Sequence, residues 1–256
     1  MNYITLLNLG RSVVQLPGFK KLKYLYVNRV RWWYKDNAYL FHGKKGIEVG
    51  GPSPIFDHNA PIPTYSHASS IDNVNWSSDT MWSSHREGGP FAPYKSEILG
   101  REYIFDSTSF PPNFLEKYDF IQCSHVLEHI ANPAKAILSW RAILKKKGVA
   151  IILVPNKDFT YDVDRPFTSL KHLLEDYQSN VGEDDNTHFS EVIEMHNFKY
   201  DNSSGVESLN RTEWAAKVNN NLNSRMLHHH CFSGDVLIEL MSLCGFEVIA
   251  LDKFLP

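Results

Sequence analysis

Five short apolar runs, at residues 46–50, 103–106, 120–123, 149–154 and 246–251, each break off into a polar or glycine-rich stretch. Continuous apolar runs of this length suit parallel strands buried on both faces. Helical patterns lie between the later runs, and the clearest covers 133–144. Asn132 stands where an N-cap belongs, and Pro133 occupies the first turn, where its missing N–H is harmless. Ile137, Leu138, Trp140, Ile143 and Leu144 give this helix an apolar face, Lys145, Lys146 and Lys147 complement its negative end, and Gly148 is expected to stop it. The pattern over 233–243 repeats the design, with Ser233 as cap and Gly245 past the end. Strands alternating with helices imply an open, mostly parallel α/β sheet with flanking helices.

Two stretches interrupt the alternation. Residues 73–100 are rich in Trp, Ser, Gly and Pro and read as an ordered loop insertion. Residues 157–227 are polar, carry a helical pattern near 170–177 and suit a lid or substrate insertion on the ligand edge of the sheet. The expected organisation is a basic helical arm over 1–43, an α/β core over 44–156, the lid over 157–227 and a helix and strand over 228–256 that complete the core.

Charge is unevenly placed. Residues 1–45 hold nine Lys or Arg against the single acid Asp36, a balance of +8 that leaves −11 in the other 211 residues of a chain whose total is −3. An acidic body argues against a nucleic-acid groove through it. The arm, with Trp32, Trp33 and Tyr34, suits either a peripheral contact with an anionic membrane or a return onto the acidic body that neutralises it. Cys123, Cys231 and Cys244 form neither a disulfide framework nor a CxxC site, so a cytoplasmic location, with at most peripheral contact with the inner membrane face, is expected.

The first run continues as Ile47-Glu48-Val49-Gly50-Gly51-Pro52-Ser53-Pro54, a strand feeding a tight glycine turn that lets backbone approach a ligand. Asp72 follows at about the distance where nucleotide-binding folds hold a ribose diol, and Asp106 follows another strand and could accept from an adenine amino group.

The segment Tyr118-Asp119-Phe120-Ile121-Gln122-Cys123-Ser124-His125-Val126-Leu127-Glu128-His129-Ile130 resembles the fourth strand and following turn of class I S-adenosylmethionine-dependent methyltransferases. Residues 140–155 resemble the helix, turn and fifth strand of that family, and 233–251 its later helix and sixth strand. The resemblance implies a Rossmann-like fold and S-adenosyl-L-methionine as cofactor. It implies cofactor contacts from Glu48, Gly50, Gly51, Asp72 (ribose), Asp106 (adenine), Ser124 and His125. Pro52 and Pro54 replace two glycines of the family's first motif and cannot donate N–H bonds. The chain ends five residues after strand six, so the family's seventh, antiparallel strand is missing or its place is taken by another segment.

His125, Glu128 and His129 form H-x-x-E-H, which resembles the E-x-x-E-H pattern that holds a divalent ion in some quinone and small-RNA methyltransferases. A further ligand could come from His228, His229 or His230, yet the segment is expected to work without a metal, as an EH pair bonded to its local turn. His188 and His196, flanked by acids, suit either a polar substrate pocket or a solvated lid face, and Arg165 either an anion clamp or a partner of Asp162 or Asp164. The expected activity is O-methylation of a small polar acceptor such as a sugar or glycan precursor. A base is needed for a hydroxyl nucleophile, and His125, His129 and His229 are the candidates. The alternatives are a non-catalytic S-adenosylmethionine-binding module and an RNA methyltransferase using the basic arm.

Overall fold

The computed structural model describes residues 2–9, 30–79, 87–95, 97–201 and 209–253. Its centre is an eight-stranded sheet. The strands are β1 (Asn2–Leu9), β2 (Lys45–Val49), β3 (Ser70–Asn75), β4 (Pro90–Phe91), β5 (Gly100–Ile104), β6 (Tyr118–Ser124), β7 (Leu144–Pro155) and β8 (Phe246–Lys253), in the order β4-β5-β3-β2-β6-β7-β1-β8. Every pairing is parallel except that of the short β4 with β5. The expected α/β class and mostly parallel sheet are therefore present.

The helices are α1 (30–37), α2 (Thr64–His67), α3 (Pro133–Ile143), α4 (Leu170–Gln178), α5 (Phe189–Met195), α6 (Arg211–Asn219), α7 (Asn221–Ser224) and α8 (Gly234–Leu243). Asn132 caps α3 by accepting from the Lys135 N–H, and Ser233 caps α8 by accepting from the Val236 N–H. The stop signal of α3 lies elsewhere than expected. Leu144 is already extended and buried against Tyr118 as the first residue of β7, and Lys147, at φ +67°, makes the left-handed step assigned to Gly148. Two cores result: Ile137, Trp140, Leu237 and Leu240 pack on one face of the sheet, and Phe41, Phe56, Ile71 and Phe120 on the other.

Two further expectations are corrected. Residues 2–9, placed in a helical arm, are a strand between β7 and β8 that runs parallel to both neighbours, and they take the place where the resemblance put a seventh, antiparallel strand. The physical reason is pairing: without β1, neither the β7 edge nor β8 would have a ladder partner on that side. Residues 73–75, placed in a loop, complete β3, whose polar Asp72, Asn73 and Asn75 are buried because their side chains find partners. Residues 10–29, which hold several of the basic positions of the arm, lie outside the described residues.

In α1, Val30 and Tyr34 are buried in the second core, with the Tyr34 hydroxyl 2.8 Å from His67 Nδ1, whereas Trp32 is 65% exposed. Among the described residues no helix is long and apolar enough to cross a membrane. The segment 157–227 carries α4 to α7 and a small core of its own, built from Tyr161, Val192, Trp214, Val218, Met226 and Leu227.

Candidate active site

A cleft of about 460 Å³ opens at the carboxyl ends of β2, β3, β5 and β6, where open parallel sheets bind ligands. One half is built by the sheet edge: the turn Val49–Pro54, then Val74, Asn75, Trp76, Ser77, Asp79, Phe105, Asp106, Ser124 and His125. The other half comes from His129, from the long insertion, with Thr160, Tyr161, Asn223 and Arg225, and from His228 just after it.

The glycine turn is rigid. Gly50 has φ +73°, and a Cβ there would lie 2.5 Å from Val126 Cγ2. The turn's N–H groups are already engaged: Gly50 donates to Val74 O, Gly51 to Asn73 Oδ1 and Ser53 to the Tyr65 hydroxyl. With Pro52 and Pro54 beside them, the turn supplies shape and close approach rather than donors. A carboxylate in the cleft would therefore look to Arg225, the one Lys or Arg among the described lining residues; its guanidinium lies 4.4 Å from the Trp76 ring and pairs with Glu183 at 2.5 Å.

Of the sequence-based cofactor residues, Gly50, Gly51, Asp106, Ser124 and His125 line the cleft. The Asp106 carboxylate is oriented by the Thr108 N–H and hydroxyl, at 2.8 and 2.9 Å. Glu48 and Asp72 lie elsewhere. Glu48 is fully buried behind the turn, where it accepts from the Tyr65 hydroxyl at 2.6 Å and from Gln122; burial pushes its carboxyl up to about 7. Asp72 pairs in register with Ile47, short of the strand ends, and accepts from the Tyr118 hydroxyl at 2.7 Å and from the Arg101 N–H, with Lys45 Nζ at 3.7 Å. Lys45 and Tyr118 begin their strands, so Asp72 faces away from the cleft, and the β3 residues that reach it are Val74 and Asn75, followed by Trp76, Ser77 and Asp79.

The histidine candidates also divide. His125, at φ +57°, lines the cleft with its Nδ1 3.4 Å from Glu128 Oε1. His129 lines it and donates from Nδ1 to the Leu227 carbonyl at 2.9 Å; burial and the neighbouring His228 push it down to about 3, so it is neutral near pH 7. Burial pushes the Glu128 carboxyl up, but His125, His129 and His228 outweigh it and hold it below the ordinary value.

His229 does not line the cleft. It is buried against Asn221 while its backbone N–H donates to Glu128 O, and burial with His230 and His188 nearby keeps its ring neutral. Its neighbour His228 lines the cleft instead, donating from Nδ1 to Asp162 Oδ2 at 2.5 Å. Asp162 is ion-paired with Arg165 at 2.7 Å; burial raises its carboxyl, and His228 followed by Arg165 more than reverse that, holding it far down. Arg165 is thus a partner of Asp162 and Glu191, and it also donates to the carbonyls of His228 and His229. His196 is buried on Asp201 at 2.7 Å and neither it nor His188 lines the cleft.

A family model described as a methyltransferase domain matches residues 59–251, well over half of the chain. A ubiquinone biosynthesis O-methyltransferase of Histophilus somni is 34% identical over 74 residues, a match that spans 29% of each protein. Among solved structures, a protein of Bacillus halodurans assigned as a methyltransferase is similar at 13% identity and TM-score 0.43, covering 86% of this chain and 68% of that one. The 16S rRNA (adenine(1408)-N(1))-methyltransferase of Catenulisporales acidiphilia is similar at 10% identity and TM-score 0.35, covering 67% of this chain and 75% of the other. The chain belongs to the class I S-adenosylmethionine-dependent methyltransferase family.

Proposed function

We propose that the protein transfers a methyl group to a hydroxyl of a small polar acceptor, a sugar or glycan precursor, with His228 as the base. The observation that carries this reading is the His228–Asp162 pair in the insertion half of the cleft. With Nδ1–H held by the carboxylate, Nε2 is left as the accepting nitrogen. The cleft fits the cofactor: open backbone at Gly50–Gly51, polar side chains after β3, an oriented Asp106, and Arg225 for a carboxylate. When bound, S-adenosylmethionine supplies an electrophilic methyl on a sulfonium sulfur.

The chain's own groups align the acceptor oxygen with that carbon and exclude water. As the oxygen–carbon bond forms and the carbon–sulfur bond breaks, the bonding pair stays with sulfur, and the hydroxyl proton passes to His228 Nε2. Asp162 steadies the imidazolium, and neutral His129 beside it, ring centroids 4.6 Å apart, adds no opposing charge. S-adenosylhomocysteine release with a panel of hydroxylated acceptors tests the activity. His228→Gln should lower kcat by about 10²–10⁴-fold while S-adenosylhomocysteine affinity stays within about threefold. Unchanged turnover would remove His228 from the base role.

A second reading has its own observation. Glu128, His129 and His228 each offer a ligand atom within 4.8 Å of the others, and both imidazoles have Nδ1 anchored, on the Leu227 carbonyl and on Asp162, as metal-ligating histidines do. A divalent ion there would polarise the acceptor oxygen. Loss of activity on chelation, restored by Mn²⁺, selects this reading; chelator-insensitive turnover selects His228 as a metal-free base.

A further inference from the structure

Behind the cleft, four side chains from three separate parts of the chain converge. His172 and Asp176 lie one turn apart on α4, His188 precedes α5, and His230 lies in the segment that leads to α8. Each offers one ligand atom, and all four atoms lie within 4.8 Å of one another. His172 Nε2 is 3.1 Å from His188 Nε2 and 3.4 Å from Asp176 Oδ2, and His230 Nε2 is 3.8 Å from the same oxygen. Ligands about 2.0–2.2 Å from a tetrahedral zinc ion stand roughly 3.3–3.6 Å apart, so these separations bracket a zinc-sized shell. None of the four lines the cleft.

Hydrogen bonding within the cluster leaves it incomplete. One proton shared between His172 and His188 would satisfy that pair and nothing else. Asp176 Oδ2 and His230 Nδ1 are buried and accept or donate no hydrogen bond, and their residues are 7% and 1% exposed. A buried carboxylate oxygen that accepts no hydrogen bond while three imidazoles converge on it is a costly arrangement, which a cation bound among them relieves. His230 Nε2 also lies 3.1 Å from the Ala131 carbonyl, so coordination through Nε2 exchanges that bond, whereas coordination through Nδ1 keeps it.

We propose that His172, Asp176, His188 and His230 form a structural site for a zinc-class divalent ion that clamps the long insertion to the core. Imidazole and carboxylate donors in four-fold arrangement favour a transition metal over magnesium or calcium. The clamp joins α4 and the approach to α5 to the strand of chain that carries His228, two residues before His230. Its consequence is that the ion fixes the insertion half of the cleft without touching substrate. The proposal is independent of the methyl-transfer reading and of any ion at Glu128, His129 and His228.

Zn²⁺ affinity of the full chain, measured by competition with a chromophoric chelator, tests it alongside metal content. The wild type should bind one equivalent that His172→Gln weakens at least tenfold and that His172→Gln/His188→Gln abolishes. His129→Gln/His228→Gln, which removes the cleft donors, should retain it. Because His172 is part-exposed at the helix surface, His172→Gln should keep the wild-type circular dichroism spectrum, and this variant stays informative if the double variant unfolds. Added Zn²⁺ should raise the thermal midpoint of the wild type and not that of the His172 variant. No Zn²⁺ binding by the wild type, equal affinity in His172→Gln, or loss only in the cleft variant would each overturn the site.

Discussion

At the scale of single residues, the cleft depends on backbone that only glycine can supply and on carboxylates whose surroundings differ sharply. Gly50→Ala combines a left-handed φ with a Cβ 2.5 Å from Val126, so it should destabilise the fold by about 1–3 kcal/mol and weaken S-adenosylhomocysteine binding in calorimetry. Asp72→Asn tests the relocation of that residue. It should leave S-adenosylhomocysteine affinity within about twofold while lowering the melting temperature, because its loss disturbs Tyr118, the Arg101 N–H and Lys45; abolished binding would return Asp72 to the cofactor. Glu48 gives a pH signature. Its carboxyl rises from 4.5 to about 7 on folding, so the folded state holds its proton more tightly than the unfolded chain. The stabilisation is full below about pH 4.5 and is lost as pH rises through 7, a swing of about 3 kcal/mol. Glu48→Gln should therefore melt higher than wild type at pH 8 and show little advantage at pH 4, which paired thermal scans will decide.

At the scale of elements, α3 and α8 begin at their caps Asn132 and Ser233, and the insertion is fastened by buried polar links. Arg165 joins Asp162, Glu191 and the carbonyls of His228 and His229 from a fully enclosed position. Removing one partner of such a network leaves the others desolvated and unpaired. Arg165→Met should cost about 3–5 kcal/mol in urea unfolding and lower turnover more than cofactor affinity, because the His228–Asp162 geometry loosens while the sheet edge stays intact. Wild-type kinetics in this variant would mean that the pair is held by other contacts.

At the scale of the whole molecule, the first strand of the chain joins β7 to the edge strand β8. β1 pairs with β7 from Tyr3–Val149 to Leu9–Pro155 and with β8 from Asn2–Phe246 to Asn8–Lys253. Deleting residues 2–9 would leave β7 and β8 without a shared neighbour and expose two ladders to solvent. The truncated chain should lose cooperative melting or aggregate on expression; an unchanged thermal transition would show that β8 packs without β1.

The periodic features were legible in the sequence because they are local. Asn132 and Ser233 as caps, the apolar runs of β2, β6 and β7, and the glycine turn after Val49 each rest on interactions within a few residues. Gly50, Gly51, Asp106, Ser124, His125 and His129 line the cleft because they follow directly on such elements. What the tertiary structure alone decided are choices between neighbours and between distant partners. Register moved the β3 contribution from Asp72 to Asn75 and the residues after it. The fold of the insertion selected His228 over His229, since adjacent imidazoles look alike in a sequence and only Asp162, 66 positions away, distinguishes them. The strand at 2–9 carries apolar and β-branched residues of its own, yet its partners lie near residues 150 and 250, and parallel pairing over that separation leaves no local pattern. Short-range physics wrote the elements into the sequence, and long-range packing chose which of their polar side chains meet.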